Sequence, residues 1–328
     1  MQNLLETLKK AAEFLSRKGL ESPRTEAEHL FAAGLGLKRL DLYLQFERLL
    51  TDPEVEKLRA LTVRRGNREP LQHIVGQVEF RDLVLKSDKR ALIPRPETEE
   101  LVDLALALFP AEQAVRVLDL GTGSGAIALA LASERPAWVV EAVDRSPDAL
   151  ALARENAERC SLSARVAFAE SDWFSAVTDA YDLIVSNPPY LTDAEVAVAE
   201  PEVRQFDPVS ALVAPEHGLA DLRKILEGAR AHLRVGGWVL CETGIDQHAA
   251  FTGEERRRTN GLHDPAAYIH PPRLLQPLDD AALPKTWHLL DESLCPLCGE
   301  VLDSIECGCN WPLIAAVEQS GTPIIDMR

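Results

Sequence analysis

Residues 114–125 read AVRVLDLGTGSG, an apolar run that leads directly into a loop with three glycines. The run 114–120 is predicted to form a buried parallel strand, because such a strand is covered on both faces and carries few polar residues. Glycine permits tight turning and lets a ligand approach the backbone closely. By itself, a strand followed by such a loop is weak evidence for a nucleotide site. The candidate cofactor residues in this loop are Gly121, Thr122, Gly123, Ser124 and Gly125.

The sequence downstream alternates between helical and strand patterns, which predicts a doubly wound α/β fold. A second strand, 138–143, ends at Asp144, where such folds carry the acidic residue that accepts both ribose hydroxyls. A third strand, 165–169, leads to Asp172 and Trp173, which are well placed to meet an adenine ring. Because the carboxyl ends of parallel strands share one edge of a sheet, these loops are expected to line one ligand crevice.

The fourth strand, 181–186, ends in the tetrapeptide Asn187-Pro188-Pro189-Tyr190, called here the NPPY loop. Two successive prolines fix two φ angles, remove two backbone donors and hold the residues before them extended. The loop is therefore expected to be stiff and to present a carboxamide, a carbonyl and an aromatic ring. The alternative interpretation of this tetrapeptide alone is a proline-bounded turn after a buried strand.

The groups of the NPPY loop suit a planar NH2 group that has to act as a nucleophile. The lone pair of an amide or exocyclic amino nitrogen is delocalised, so such a nitrogen attacks poorly. If the Asn187 side-chain oxygen and the Pro188 carbonyl accept its two hydrogens, electron density returns to the nitrogen. Tyr190 would then pack against the substrate or contact a sulfonium methyl through a cation–π interaction. The order of glycine loop, acid, Asp-Trp pair and NPPY loop favours S-adenosylmethionine over a nicotinamide, and no hydride-transfer residues are evident.

Taken together, the motifs from about residue 4 to about residue 250 resemble the HemK/PrmC protein-(glutamine-N5) methyltransferases. The NPPY loop alone is shared with adenine and guanine amino-methyltransferases. Two further segments make the match specific, and they read Arg68-Glu69-Pro70-Leu71-Gln72-His73-Ile74-Val75-Gly76 and Leu92-Ile93-Pro94-Arg95-Pro96-Glu97-Thr98-Glu99.

The resemblance implies a class I S-adenosylmethionine-dependent methyltransferase with a Rossmann-like domain. It also implies methylation of the glutamine in the Gly-Gly-Gln loop of class 1 peptide chain release factors, by in-line displacement without a metal. Carried over by position, the substrate glutamine would be held by Asn187, Pro188, Pro189 and Tyr190, of which Asn187, Pro188 and Tyr190 would be catalytic. Residues 94–98 would lie near the mouth of the same pocket. The implied cofactor contacts are Gly121 to Gly125, Asp144, Asp172, Trp173 and Asn187.

Three domains are predicted along the chain. Residues 1–75 carry apolar side chains at helical spacing and form a small helical domain, which by resemblance helps to grip the release factor. Residues 76–250 form the methyltransferase domain, entered through a β-hairpin linker at about 76–90. Residues 251–328 form a divergent C-terminal extension.

The extension departs from the family pattern, which continues with a helix and two more strands after the fifth strand, predicted here at 238–241. A polar stretch from Gly253 is followed by a proline-rich segment, 265–284, and no convincing strand pair is found. The fifth strand is therefore expected to present an unpaired edge. Either the tail covers this edge in an unrecognised way, or the catalytic domain is impaired.

The extension also holds four of the six cysteines. Cys295 and Cys298 have the spacing of a metal knuckle, and Cys307 and Cys309 would supply two more thiolates. Four thiolates form a closed structural zinc site. The gap between the two pairs is short, and the alternative is a set of reduced, unligated thiols.

Composition limits the classes of partner. The chain has 328 residues, 46% of them hydrophobic, and a formal net charge of −17. A protein that grips nucleic acid through phosphates needs clustered Lys and Arg, so a direct nucleic-acid contact is not expected. No stretch resembles a membrane span or a signal sequence, which predicts a cytoplasmic protein without a membrane partner.

Three functions remain open from the sequence. The first is a release factor glutamine methyltransferase. The second is a DNA or RNA amino-methyltransferase that modifies N6 of adenine or N2 of guanine, which would need a basic recognition surface. The third is a protein that binds S-adenosylmethionine but is catalytically impaired by its altered C-terminus.

Overall fold

The computed structural model describes residues 2–244, 247, 313–318 and 326–327. None of the helices in these ranges is long and apolar enough to cross a membrane. The helices are α1 (Leu4–Arg17), α2 (Pro23–Leu35), α3 (Arg39–Leu44), α4 (Asp52–Gly66), α5 (Leu71–Val75), α6 (Pro96–Ala107), α7 (Ala126–Glu134), α8 (Pro147–Arg159), α9 (Asp193–Val198), α10 (Pro201–Phe206) and α11 (Ala220–His232), with a 3-10 turn at Val209–Ala211. The strands are β1 (Gln77–Phe80), β2 (Leu83–Lys86), β3 (Arg116–Leu120), β4 (Val139–Asp144), β5 (Val166–Glu170), β6 (Tyr181–Ser186), β7 (Leu233–Thr243), β8 (Leu313–Glu318) and β9 (Asp326–Met327).

The chain divides into two compact units. The helical unit consists of Met1–Val78, Lys86–Lys89 and Ala197–Asp207. The catalytic unit consists of Glu79–Leu85, Arg90–Val196 and the described residues from Pro208 onward. No sequence pattern indicated that residues 197–207 belong with the helices of the first unit.

The core of the helical unit is formed by the apolar faces of α1, α2 and α4. Leu8, Leu30 and Leu58 are each at most 1% exposed there, as the helical spacing of apolar residues predicts. Helix α4 begins at a capping box, in which the Thr51 backbone N–H donates to Glu54 Oε2 at 2.9 Å. This reciprocal cap satisfies backbone donors that the first helical turn leaves without partners.

A buried arginine joins residues 197–207 to the rest of the helical unit. Arg65, on α4, is 6% exposed. Its guanidinium donates to Glu26 on α2 at 2.5 Å and to Glu202 on α10 at 2.8 Å. Arg68 donates to the second oxygen of Glu202 at 2.9 Å. If α10 moved away, Arg65 would lose Glu202 and part of its buried charge would be uncompensated, which is costly. These contacts therefore hold α10 in the helical unit.

The catalytic unit is built on a seven-stranded sheet with the strand order β5-β4-β3-β6-β7-β8-β9. The first five strands are parallel, and β8 and β9 are antiparallel to their neighbours. Val117 and Leu118 on the central strand β3 are both fully buried although they point to opposite faces, as expected of a sheet covered on both sides. The predicted doubly wound α/β fold is confirmed.

The strand register brings the predicted ligand loops to one edge of the sheet. Leu120, the last residue of β3, is paired with Val143 of β4 and with Ser186 of β6. Ser186 is in turn paired with Cys241 of β7. Chain order reverses between β3 and β6, and ligands bind at such a switch point in open α/β sheets.

The expectation that no strand pair follows β7 is wrong. β7 is longer than the predicted 238–241, and β8 pairs with it from Trp238↔Glu318 to Thr243↔Leu313. β9 then pairs with β8, so the edge of β7 is covered. The sequence 313–318 reads LIAAVE, a short apolar run that fits a strand or a buried helical segment equally well. Only the pairing with a distant strand decides between the two.

Candidate active site

The glycine loop leaves β3 in a conformation that few other residues adopt. Gly121, Gly123 and Gly125 have φ values of +71°, +56° and +84°. Side chains with a Cβ are strained in this left-handed region, which explains the three glycines. The backbone N–H groups of Gly121 and Thr122 both donate to the Val143 carbonyl, at 2.8 and 3.0 Å. The loop is therefore tied to the end of β4.

Asp144, the last residue of β4, faces the glycine loop. Its Oδ2 accepts a hydrogen bond from the Gly123 N–H at 2.9 Å, and its Oδ1 accepts one from the Ser146 N–H at 2.8 Å. A carboxylate oxygen accepts more than one hydrogen bond, so each oxygen retains capacity for a further donor. Both carboxylate oxygens are thus oriented by the backbone and able to take ligand hydroxyls.

Trp173 lies against the glycine loop, whereas its neighbour Asp172 is exposed. Trp173 has a φ of +50°, and a Cβ added at Gly121 would lie 3.5 Å from its ring. Its indole N–H is buried and has no partner among the described residues. A buried donor without a partner is rare in folded proteins and often marks a functional position. The glycine cradle, the oriented Asp144 carboxylate and this aromatic ring fit the nucleoside part of S-adenosylmethionine.

Asp119, one residue before the end of β3, lies beneath the loop and is fully buried. Its Oδ2 accepts hydrogen bonds from the Thr122 hydroxyl at 2.6 Å and from the Ala128 N–H at 3.2 Å, while its Oδ1 has no partner in the described structure. Burial raises the pKa of the Asp119 carboxyl to about 7, against the lowering effect of these hydrogen bonds. Asp119 was not among the predicted site residues.

Asp119→Asn is expected to flatten the pH dependence of stability. Because the pKa of Asp119 is higher in the folded chain than the ordinary value of 3.8, the folded state holds its proton more tightly. Tighter proton binding stabilises the folded state. This stabilisation is fully present below about pH 4 and is lost as pH rises through about 7. Asparagine preserves the acceptor oxygen and cannot ionise, so Asp119→Asn should gain stability relative to the parent as pH rises.

Urea unfolding at pH 4, 6 and 8, without ligand, measures this difference. Asp82→Asn removes an exposed carboxyl at the turn between β1 and β2, and serves as the control for the loss of one negative charge. An Asp119→Asn curve parallel to that of the parent would contradict the expected linkage.

The NPPY loop follows β6 directly and lies beside the glycine loop. The Ser186 hydroxyl donates to the Leu120 carbonyl at 2.7 Å, which joins the ends of the two strands. Pro188 and Pro189 are buried, and Asn187 is half-buried. The Asn187 Nδ2 group donates to Thr98 Oγ1 at 3.0 Å. Within the part of the chain that the structure describes, Asn187 Oδ1 accepts no hydrogen bond, which leaves it available to a ligand.

Thr98 and Glu242 extend the contacts of the NPPY loop. Thr98 belongs to residues 94–98, which were expected only near the mouth of the pocket, and Glu242 was not predicted as a site residue. Thr98 lies in the first turn of α6, and its hydroxyl donates to Glu242 Oε2 at 2.8 Å. Glu242 follows Cys241 on β7 and accepts a second hydrogen bond from the Tyr190 hydroxyl at 3.1 Å. The two signals that could have found them are the Pro-Arg-Pro-Glu-Thr motif and an acidic residue at the end of the fifth strand.

Burial controls the ionisable groups of this cluster. It raises the pKa of the Glu242 carboxyl, and Glu97 raises it further, while hydrogen bonds from Thr98, Tyr190 and Asn187 lower it. Burial and the neighbouring Glu242 raise the pKa of the Tyr190 hydroxyl, which therefore remains a donor at neutral pH.

A second set of contacts holds the backbone of Tyr190. The Gln247 side chain donates from Nε2 to the Tyr190 carbonyl at 2.6 Å and to the His217 carbonyl at 3.2 Å. Gln247 Oε1 accepts from the Gly244 N–H at 3.1 Å. Gly218, with a φ of +82°, lies so close that an added Cβ would be 2.0 Å from the Tyr190 carbonyl oxygen. The end of the NPPY loop is therefore tightly enclosed.

The metal prediction falls outside the residues that the structure describes. Cys295, Cys298, Cys307 and Cys309 all belong to the part of the chain that is not described. Within the described part, no group of three or more His, Cys, Asp or Glu side chains is arranged to hold a metal ion. The two described cysteines, Cys160 and Cys241, are free thiols.

Two family models match this chain, one in its N-terminal part and one in its middle part. Residues 6–76 match the PrmC N-terminal domain, and residues 101–204 match the methyltransferase small domain. Among solved structures, the catalytic domain of hMettl16 in complex with an RNA hairpin is 20% identical over 65% of this chain and 75% of that chain, with a TM-score of 0.45. A likeness at that level carries no argument about substrate.

Curated sequence relatives are much more similar to this chain than that solved structure is. A release factor glutamine methyltransferase of Geobacter sulfurreducens is 44% identical over 73% of this chain and 84% of its own length. The enzyme of the same name from Escherichia coli K12 is 46% identical over 70% of this chain and 82% of its own length. These matches confirm the resemblance drawn from the motifs. The chain therefore belongs to the release factor glutamine methyltransferases, a family of S-adenosylmethionine-dependent enzymes.

Proposed function

We propose that this chain methylates the side-chain amide nitrogen, N5, of the glutamine in the Gly-Gly-Gln motif of class 1 peptide chain release factors. The observation that carries the proposal is the state of Asn187. Its carboxamide is held through Nδ2 by Thr98, beside the glycine loop, and its Oδ1 accepts no hydrogen bond from the described residues. An acceptor fixed at this place suits an NH2 nucleophile.

The cofactor would be held by groups at the edge of the sheet. Asp144 would accept the ribose hydroxyls, Trp173 would lie along the adenine ring, and the backbone of residues 121–125 would surround the remainder, with Asn187 in contact. When bound, S-adenosylmethionine supplies an electrophilic methyl group whose C–S bond breaks, leaving its electron pair on sulfur, as a bond from nitrogen forms. The exposed Asp172 side chain is proposed as a cofactor contact on the motif order alone.

The residues of the NPPY loop would make the amide nitrogen nucleophilic. Asn187 Oδ1 and the Pro188 carbonyl would accept its two hydrogens, which opposes delocalisation of the lone pair and aims it at the methyl group. After transfer, the nitrogen would release one of its two protons to water, so that the product is a neutral N-methyl amide. Most of the rate enhancement would come from positioning, which can contribute several kcal/mol when reacting atoms are held in line.

The charge of the chain supports a protein substrate over a nucleic acid. A net charge of −17 repels phosphates and attracts a basic surface. The helical unit, which matches the PrmC N-terminal domain, would contribute to substrate recognition. A release factor acts in translation, so we place the enzyme in the cytoplasm. The four-cysteine zinc site at Cys295, Cys298, Cys307 and Cys309 stays a prediction from spacing alone.

A methyl-transfer assay tests the proposal. The enzyme is incubated with S-adenosylmethionine that carries a labelled methyl group and with either a class 1 release factor or total RNA and DNA. We expect label on the release factor, and none when the glutamine of its Gly-Gly-Gln motif is replaced by glutamate, which has no amide nitrogen. Label on nucleic acid would identify an amino-methyltransferase, and absence of label from both would indicate a protein that only binds the cofactor.

A further inference from the structure

The hydrogen bonds from Asn187 through Thr98 to Glu242 have a defined direction. Thr98 is 4% exposed and Glu242 is 2% exposed, so water does not compete for their hydrogen bonds. A threonine hydroxyl has a single hydrogen to donate. Here that hydrogen is directed to Glu242, while the Thr98 oxygen accepts from Asn187 Nδ2. The direction of both hydrogen bonds therefore depends on Glu242 acting only as an acceptor.

An ionised carboxylate is such an acceptor, and the Tyr190 hydroxyl occupies its other oxygen. Because the Thr98 hydroxyl hydrogen is donated to the carboxylate, the Thr98 oxygen can only accept a hydrogen bond from Asn187. An acceptor at this place selects the NH2 end of the Asn187 carboxamide, because the carbonyl end would meet it with a second lone pair. The two ends are nearly equal in shape, so hydrogen bonding decides between them.

We propose that Thr98 and Glu242 are positioning residues that determine which end of the Asn187 carboxamide faces the substrate. The inference rests on the proposed function, in which Asn187 Oδ1 accepts a hydrogen from the substrate amide. A reversed carboxamide would direct two N–H donors at the substrate NH2 group, which is a donor itself. The nucleophile would then be neither oriented nor relieved of its delocalisation.

The protonation state of Glu242 makes this arrangement sensitive to pH. A protonated Glu242 would be able to donate to Thr98, and the Thr98 hydrogen would then be free to donate to Asn187 Oδ1, which reverses the carboxamide. Burial raises the pKa of the Glu242 carboxyl, so it takes up its proton at a higher pH than an exposed carboxyl does. The described groups that face Glu242 are Thr98, Asn187 and Tyr190 as hydrogen-bond donors and Glu97 and Glu100 as like charges, with Arg95 acting on Tyr190.

A pair of Thr98 variants separates the hydroxyl from the shape of the side chain. Thr98→Val replaces the hydroxyl by a methyl group of similar size, and we expect it to lower kcat about 100-fold, as for a misplaced catalytic group. The Kd for S-adenosylmethionine and the KM for the release factor should change little. Thr98→Ser retains the hydroxyl and should restore most of the lost kcat.

The pH profile of kcat provides the second readout. In the parent enzyme, kcat at saturating substrates should fall as pH decreases through the pKa of Glu242. Glu242→Gln should have a low kcat without this limb, since it has no carboxyl to titrate. Glu97→Gln removes the like charge that raises the pKa of Glu242, and should therefore shift the limb to lower pH without abolishing it.

The outcomes distinguish this inference from the proposed function. If the parent enzyme methylates the release factor and Thr98→Val retains the parental kcat, the positioning role is refuted while the function stands. Equal losses in Thr98→Val and Thr98→Ser would also refute it, because packing and not the hydroxyl would then matter. Should Thr98→Val fail to fold, an unchanged acid limb in Glu242→Gln would overturn the inference. A parent enzyme that leaves the release factor unlabelled contradicts the proposed function instead.

Discussion

Replacing Asn187 by alanine is expected to lower kcat for methyl transfer by about 100- to 1000-fold, the range found when one preorganised polar contact to a reacting group is removed. The substitution deletes the acceptor that would take a hydrogen from the substrate amide. It leaves the glycine loop and Asp144 intact, since these are held by backbone hydrogen bonds to β4 and to Gly123. Affinity for S-adenosylmethionine should therefore change far less than turnover.

Calorimetric titration of the cofactor and a labelled methyl-transfer assay measure the two quantities. Asn67→Ala is a matched control, because Asn67 is an exposed asparagine at the end of α4. Unchanged transfer by Asn187→Ala would show that the carboxamide does not prepare the nucleophile. An equal loss of cofactor affinity would show that Asn187 acts mainly on cofactor binding.

Gly218→Ala is expected to displace Tyr190, the last residue of the NPPY loop, through a steric clash with its carbonyl group. An added Cβ would lie 2.0 Å from the Tyr190 carbonyl oxygen and 2.1 Å from Gln247 Nε2, much closer than van der Waals contact allows. The backbone at φ +82° is also strained for alanine. Overpacking and left-handed strain together should reduce the free energy of unfolding by about 2–5 kcal/mol. Methyl transfer should be largely lost, because Tyr190 has to move.

Gly236→Ala supplies a close control for this variant. Gly236 has a φ of +78°, but a Cβ there would meet no atom of the described residues within 4 Å. It should therefore lose only the strain contribution, about 1–2 kcal/mol, and retain activity. Thermal unfolding and the methyl-transfer assay compare the two variants. Similar activities for Gly218→Ala and Gly236→Ala would mean that the enclosure of Tyr190 is not needed for catalysis.

Local sequence patterns were sufficient to place the first four parallel strands of the sheet. The strand 181–186 has the predicted bounds, since an apolar run stops at two prolines. Asp144 is the last residue of β4, again as predicted, because doubly wound folds carry an acidic residue at the end of the second strand. The positive φ values of the glycine loop follow directly from the spacing of its glycines.

Contacts between residues distant in the chain were not predictable in this way. Thr98 and Glu242 are separated by 144 positions, and only the fold brings them together. The pairing of β7 with β8 is likewise a distant contact, because the short, mostly apolar segment 313–318 carries no sign of its partner. The cofactor loops were thus evident from the sequence, whereas the side chains that orient Asn187 were not.

The placement of Ala197–Asp207 in the helical unit limits how this enzyme is divided into fragments. The chain leaves the catalytic unit six residues after Tyr190 and returns at Pro208, so one cut near Val78 does not separate the units. A fragment that begins after Val78 would retain Glu202 but lose Arg65, its buried counter-ion. Expression of an isolated catalytic fragment therefore requires both the cut and replacement of residues 197–207 by a short linker.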